Sequence, residues 1–471
     1  MIFRKQLHIL LALAITAANA INSAAQLYAP GRNWAAKTAY TLTQQQDSIF
    51  VFFSTKAAPK KGTLRARHSD GSASTFKWYK YNKSVLNPSN RFQLFLTEEN
   101  LTESTVTGLD RGGYQVQITN AADSTETRTA WVFIDDAEIN RFETDNNCDF
   151  LWISAVVGEP TQYEFPIINE YFVYRDLSSR NHPEINKYGS EYFKNITWKS
   201  SSSQVTMPGI SSLSIFVEDP APLYDATYTI EINNPFGRKL TASTTQFEAL
   251  ATLADFKVFT DAKGSWTEKL SGEAPLGLKL QTKSVNADSV YWRIINDRDN
   301  FKMGGDSIIF RDSSVFTASA EVVLDREHKE RMIPGTYTVE HIAVNVVSGC
   351  RDTMTLTVEV DSSLIKPDAI PNVFTPNGDD ANPRFVLNNI DDNVKSIRYF
   401  TVTILSRWGQ KVYSYTGDPK TWEGWDGKIN NTEREAQEGV YYYIIDAVGW
   451  DGKRFKGGSY KGFVYLYRGS R

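Results

Sequence analysis

One phrase recurs three times at intervals of about one hundred residues, a spacing that marks tandem copies of one structural unit. Each copy has a tryptophan in a short run and, later, a run that begins on tyrosine and alternates with a period of two. The tryptophan runs are Phe76-Lys77-Trp78-Tyr79-Lys80-Tyr81, Ile196-Thr197-Trp198 and Val290-Tyr291-Trp292. The late runs are Gly113-Tyr114-Gln115-Val116-Gln117-Ile118, Ala226-Thr227-Tyr228-Thr229-Ile230-Glu231-Ile232 and Pro334-Gly335-Thr336-Tyr337-Thr338-Val339. Alternation places Tyr114, Val116 and Ile118 on one face of a sheet and the glutamines on the other. A sheet with one apolar face needs a second layer against it, so three β-sandwiches in tandem are expected.

A core tryptophan followed by a late tyrosine strand resembles the immunoglobulin fold, in which the tyrosine sits near a corner. On this reading the units span residues 26–140, 141–252 and 253–362. In the first, the apolar run Ser48-Ile49-Phe50-Val51-Phe52-Phe53 is a further strand and Ala130-Trp131-Val132-Phe133-Ile134 the closing one. The third unit also resembles the immunoglobulin-like domains named after the polycystic kidney disease protein, through residues 334–339 and Gly349-Cys350-Arg351-Asp352-Thr353. After Val339 the alternation would bury His341 and leave Ile342, Val344 and Val346 in the other phase, so a β-bulge is expected there. Residues 163–193 of the second unit are rich in Tyr, Asn and Glu without a period; they read as a decorated loop or as an excursion carrying a binding surface.

At 471 residues the chain exceeds one domain, and at roughly 100–200 residues per domain it holds about three to five. Aromatic content of 13% favours strands. A net charge of −4 without long basic runs argues against nucleic acid as a partner. Arg4 and Lys5, an apolar stretch over residues 7–18 and the small residues Ser23-Ala24-Ala25 read as an export signal over residues 1–25, with cleavage after Ala25 or, as second choice, after Ala20. The apolar stretch falls short of the ~20 residues that span a bilayer, so an integral membrane protein is not expected. Cys148 and Cys350 either pair or act as two small buried hydrophobes. Neither lies at the end of the N-terminal segment, which argues against lipid attachment there.

A linker around Asp361-Ser362-Ser363 and Lys366-Pro367-Asp368 leads into a final module, residues 363–471. Its phrases are Pro371-Asn372-Val373-Phe374-Thr375-Pro376-Asn377-Gly378-Asp379, Arg407-Trp408-Gly409, Gly424-Trp425-Asp426-Gly427, Gly439-Val440-Tyr441-Tyr442-Tyr443 and Gly462-Phe463-Val464-Tyr465-Leu466-Tyr467-Arg468. Asn377-Gly378, Trp425-Asp426-Gly427 and Trp450-Asp451-Gly452 supply turns between strands. One strand face is Phe400, Val402 and Ile404; another is Val440, Tyr442 and Ile444. A fourth, small sandwich follows. In the order of its phrases the module resembles the type B sorting domain of the Bacteroidetes type IX secretion system, also called the gliding-motility-associated C-terminal domain. The resemblance implies partners in the outer-membrane translocon and a helper barrel protein. The family pattern continues Asn-Gly-Asp-Gly with a later Asn-Asp. This chain has Asp380 in place of the second glycine and Pro383 after Asn382, which removes a turn glycine and an oxygen ligand and argues against a cation in this loop. The closing strand is apolar on both faces, so it and the strand carrying Tyr441 and Tyr443 either pack internally or form a surface read by the export machinery.

No phosphate-cradling loop, nucleophile elbow or His-Glu-x-x-His phrase is present, and the five histidines are scattered. No catalytic residue, metal site or cofactor is therefore nominated. Asp followed by Ser or Thr and then by an apolar residue or Thr resembles the O-glycosylation acceptor of Bacteroidetes, which makes Ser48, Ser124, Ser289, Ser307 and Thr353 candidate acceptors. Taken together the sequence reads as a non-enzymatic surface or secreted protein whose sandwiches serve adhesion or binding of a partner or glycan. The alternatives are a component of the secretion apparatus and, third, a secreted hydrolase.

Overall fold

The computed structural model describes residues 26–158, 171–262, 264–296, 308–315, 321–430 and 432–469. The expected export signal and Ser307 lie outside the described residues. The protein is all-β, with tandem β-sandwiches. The chain divides into two compact units, Met1–Glu248 and Ala249–Arg471.

In the first unit a six-stranded sheet runs in the order Trp34–Lys37, Ser48–Phe53, Thr125–Asp135, Gly112–Asn120, Ser74–Tyr81, Phe92–Leu101. Gln26–Tyr28, Gly62–Arg67 and Ser104–Leu109 form a second, three-stranded sheet. One core holds Phe76, Trp78, Tyr114, Val116 and Ile118 together with Leu64 and Val106 of the smaller sheet. The run Ser48–Phe53 has no polar phase because both of its faces are covered. Phe50 and Phe52 enter this core, while Ile49 and Val51, with Trp131 and Phe133, enter a second one.

That second core belongs equally to the next sandwich, built from Ile139–Asn146, Phe150–Val157 and Ser214–Glu218 and from Ile196–Ser200, Tyr228–Asn233 and Lys239–Ser243. Trp198, Tyr228, Ile230 and Ile232 are buried in it. Between the two sandwiches lies the described part of the aperiodic region. Phe172, Tyr174, Tyr188 and Tyr192 are all buried, with Phe172 stacked on Tyr192 at 5.2 Å between ring centroids. The stretch is therefore neither a surface loop nor wholly a display surface, because its aromatics fill the shared core. The polar centre of this junction is Asp135, fully buried, which accepts hydrogen bonds from Tyr192 Oη (2.8 Å) and Asn234 Nδ2 (2.7 Å) and pairs with Arg238 at 3.2 Å. Burial raises its carboxyl above the usual range, with Arg238, Tyr192 and Asn234 opposing.

In the second unit the five-stranded sheet Ser271–Glu273, Arg351–Asp361, Gly335–Val344, Ser289–Asn296, Ile308–Val315 packs on a four-stranded sheet. The expected bulge after Val339 is absent. Gly335–Val344 pairs in continuous register with both neighbours, and Tyr337, Val339, His341 and Ala343 all point inward. His341 is accommodated by stacking on Trp292 at 3.9 Å, with Nε2 2.8 Å from Ser284 Oγ and 3.1 Å from Thr282 Oγ1. Burial lowers its pKa to about 4, so the ring is neutral.

The C-terminal module has its own core, with Phe374, Phe385, Phe400, Val402, Ile404, Trp425, Ile445, Val464 and Leu466. Its sheet runs Val373–Phe374, Lys461–Leu466, Gly439–Gly449, Ile397–Leu405, Lys411–Gly417. The opposing layer is thin, held by isolated bridges such as Phe385 to Trp425. Phe400, Val402 and Ile404 point inward as expected. Val440, Tyr442 and Ile444 do not, since the buried phase of their strand is Tyr441, Ile445 and Ala447. Both phases are apolar, so alternation alone had nothing with which to choose.

Neither cysteine is a free thiol, and Cys148 is exposed while Cys350 is buried. Two small buried hydrophobes is thus the wrong account of Cys148.

Candidate functional site

The motif residues of the C-terminal module converge on the arginine that closes its last phrase, Arg468. The opening phrase and the closing strand are neighbours, Val373 paired with Tyr465 and Phe374 with Leu466 in parallel register. This pairing delivers Arg468 to the loops. Its guanidinium donates to the carbonyls of Pro376 (3.1 Å), Gly427 (3.2 Å) and Ala436 (3.4 Å), and its backbone N–H donates to Glu438 Oε1 at 2.5 Å. Three phrases distant in sequence are thus tied by one cation, and hydrogen bonds to a charged donor are worth roughly 1.5–3 kcal/mol each.

The motif glycines answer to local crowding. A Cβ on Gly424 (φ +86°) would lie 2.7 Å from the Phe385 carbonyl, and one on Gly427 (φ +80°) 3.1 Å from Leu466 Cδ1 and 3.2 Å from Pro376 Cγ. A Cβ on Gly462 would stand 2.5 Å from the hydroxyl of Tyr443, which leans over that position. Trp425 is fully buried and donates to the Lys428 carbonyl at 2.7 Å, while Asp426 accepts the Lys428 N–H at 3.0 Å. Gly409 closes the hairpin turn after Ser406; Arg407 lies over the ring of Trp408, which projects from the tip, 77% exposed.

The opening loop locks onto itself. Asn377 Nδ2 donates to Asp379 Oδ2 (2.7 Å), Asp379 Oδ1 accepts the Ala381 N–H (2.9 Å), and Thr375 Oγ1 donates to the Ala381 carbonyl (2.6 Å). The bonds from Asn377 and from the Ala381 N–H hold the Asp379 carboxyl below its usual range. The sharp turn survives the missing glycine because Asp380 itself takes φ +60°. Pro371 and Asn372 precede this loop, and the Asn372 carbonyl accepts the Tyr465 N–H at 2.8 Å.

Of the two readings open for Tyr441 and Tyr443, internal packing and a docking surface, the structure has them turn inward: Tyr441 is buried with its hydroxyl on the Gln437 carbonyl (2.8 Å), and Tyr443 packs on Phe385. The outer face of the same sheet carries Val373, Tyr442, Phe463, Tyr465 and Tyr467 instead, all exposed. Cross-strand register joins them, Tyr442 opposite Phe463 and Val373 and Val440 both opposite Tyr465. A contiguous aromatic face of this kind is unusual on a solvated sheet. The closing strand was legible in sequence as apolar on both faces, but which face turns outward was not, and neither were the positions of Tyr442 and Val373, because these depended on pairing.

The candidate glycosylation acceptors scatter. Ser124 is exposed in a hairpin turn and Thr353 exposed on a strand face, whereas Ser48 and Ser289 are half-buried within paired strands, Ser48 accepting from Lys37 Nζ at 3.0 Å.

Residues 369–466, which include the loops that Arg468 ties together and all of the aromatic face except Tyr467, match the family model described as the CHU_C Type IX secretion signal domain. The chain carries a type IX secretion signal domain. Such a domain implies export to the cell surface or the extracellular space and dealings with the secretion system. No curated protein matches the chain. Among solved structures it is similar to a tetra-tandem repeat from the extending region of a large adhesion protein, with 12% identity over 86% of this chain and 95% of that one and a TM-score of 0.25. It is also similar to chicken CNTN1 FN1–FN3 domains, with 10% identity over 70% and 97% and a TM-score of 0.24. A third likeness is to the N-terminal eight Ig domains of Down Syndrome Cell Adhesion Molecule, with 12% identity over 94% and 50% and a TM-score of 0.21. At such scores these likenesses carry no argument about function. No helix among the described residues is long and apolar enough to cross a membrane.

Proposed function

We propose that the secretion signal domain delivers three immunoglobulin-like sandwiches, residues 26–140, 141–252 and 253–362, to the cell surface, where they serve adhesion or partner binding. The outer-membrane translocon is the reader of the signal, with a helper barrel protein as its accessory. The observation that carries this reading is the exposed face of Phe463, Tyr465, Tyr442, Tyr467 and Val373 on a module that keeps a separate core. Those side chains contribute little to internal packing, so a surface-only role can be separated from folding.

The test is the double variant Phe463→Ser, Tyr465→Ser in the full chain. Protease shaving of intact cells is expected to find it missing from the surface while its thermal melt shifts by no more than about 0.5 kcal/mol equivalent. Normal surface delivery of the folded variant would remove the docking role of this face.

A further inference from the structure

The first unit holds a cleft of about 850 Å³, within the range of roughly 300–1,000 Å³ usual for ligand sites. One wall is the hairpin of Ser74–Tyr81 and Phe92–Leu101, the other Tyr171, Val173, Arg175 and Glu184, of a stretch to which the hairpin is pinned at Asn181 and His182. Arg91 NH1 donates both to Tyr81 Oη (3.2 Å) and to the Asn181 carbonyl (2.9 Å), and Tyr81 Oη also lies 3.3 Å from His182 Nδ1. The walls are thus held at a fixed spacing before any ligand arrives. Gly113 keeps the floor low, since a Cβ there would come within 2.9 Å of the Trp131 ring.

Charge and ring faces define what fits. In a chain of net charge −4, this cleft is lined by Lys80, Lys83, Arg111 and Arg175 against a single carboxylate, Glu184. The arginines are committed to the walls. Arg175 pairs with Glu184 at 2.5 Å, and Arg111 lies 4.2 Å over the Tyr171 ring while bonding Asp136 and the Ile134 carbonyl. Lys80 and Lys83 are exposed; Lys80 Nζ lies 5.9 Å from the centre of the Tyr114 ring and adds to the positive field that, after Lys61, holds the Asp110 carboxyl below its usual range, without a direct ion pair to it. Beside them lie the half-buried rings of Tyr81 and of Tyr171, the latter with Arg111 over one face, and the amides of Asn82 and Gln93, joined by a hydrogen bond from Asn82 Nδ2 to Gln93 Oε1 at 3.0 Å while Asn82 Oδ1 accepts the Ser84 N–H.

We propose that this cleft binds an acidic saccharide, its carboxylates on Lys80 and Lys83, its sugar-ring C–H faces on Tyr81 and Tyr171 and its hydroxyls on Asn82 and Gln93. Cations alone would take any polyanion, whereas cations beside tyrosine rings and paired amides suit a charged ligand with apolar ring faces and many hydroxyls. The proposal names a ligand class for the display reading above and rests on it, but the test needs no export.

Purified full-length protein is titrated calorimetrically with tetragalacturonate, neutral maltotetraose and a tetraglutamate peptide at about 50 mM salt, where the Debye length is roughly 14 Å. Tetragalacturonate is expected to bind at least about tenfold more tightly than either control. The double variant Lys80→Glu, Lys83→Glu is expected to weaken it by about tenfold or more without moving the melting temperature, because both side chains are exposed. Tyr171→Ser serves as a second variant, expected to weaken tetragalacturonate but not to raise tetraglutamate binding. Equal binding of the neutral sugar, peptide binding as tight as the uronate, indifference to the lysine reversal, or no binding at all would each overturn the proposal. Export failure with intact binding would count against the delivery reading alone.

Discussion

The second sandwich and the secretion signal domain solve the same problem in opposite ways. Each must anchor a long late strand that begins near a tyrosine. In the signal domain Gly439 takes φ +145°, and two residues later Tyr441 donates to the carbonyl four residues before it. The first and third sandwiches repeat this corner at Gly112 (φ +145°) with Tyr114 on Asp110, and at Gly335 (φ +148°) with Tyr337 on Ile333. The second sandwich has Ala226 where the others have glycine. It cannot cheaply adopt that backbone, and it pairs in a bridge with Phe247 instead. Tyr228 is buried against Phe247, and its hydroxyl has no partner among the described residues. This module draws its stability from elsewhere, from a core continuous with the first sandwich and packed by Phe172, Tyr188 and Tyr192. A module with its own corner and core can be moved between proteins; one that borrows its core cannot.

The largest expected effect tests the borrowed core. Phe172→Ala should cost about 3–5 kcal/mol and lower hydrogen-exchange protection in Thr125–Asp135 of the first sandwich, whose Trp131 and Phe133 share its core, as well as in Tyr228–Asn233 of the second. Trp425→Ala should cost a similar amount but leave Gly335–Val344 protected, because its cavity lies in a separate core. If the two losses spread alike, the contrast fails.

Acid should bear on the third sandwich next. His341 is held neutral when folded, with a pKa near 4 against an ordinary 6.5, so the unfolded chain binds more protons between those values. Stability is full above about pH 6.5 and declines towards pH 4, by roughly 3 kcal/mol in the limit. Denaturant midpoints of His341→Leu should lack that part of the slope.

The smallest effects sharpen the comparison most. Phenylalanine at Tyr114, Tyr337 or Tyr441 should cost about 1 kcal/mol each, the net worth of one hydrogen bond. Tyr228→Phe should change stability by less than about 0.5 kcal/mol or improve it, since the hydroxyl it removes is buried without a partner. Equal costs at all four positions in urea titrations would refute the corner account.

Where one phase of a strand was polar, as in Gly112–Asn120, the inward face was readable from the residues alone. Where both phases were apolar, as in Gly439–Gly449, the choice rested with the corner at Tyr441, which no local pattern discloses. The bulge expected at His341 failed for a related reason: periodicity treats histidine as polar, whereas a ring stacked on Trp292 and bonded to Ser284 is tolerated in the core. The motif arginine Arg468 was visible in sequence, but its grip on Pro376, Gly427 and Ala436 was not, because those carbonyls meet only after the first and last strands pair.

By itself the sequence determined that this protein is a string of β-sandwiches ending in a type IX signal, because alternation and turn glycines are local properties of the chain. Only the tertiary structure decided which aromatic residues face outward, which sandwich leans on its neighbour, and where lysines gather beside tyrosine rings. Those outcomes depend on which surfaces meet: Lys80 and Tyr171 come to line one cleft, and Phe374 comes to pair with Leu466, only when the chain has folded.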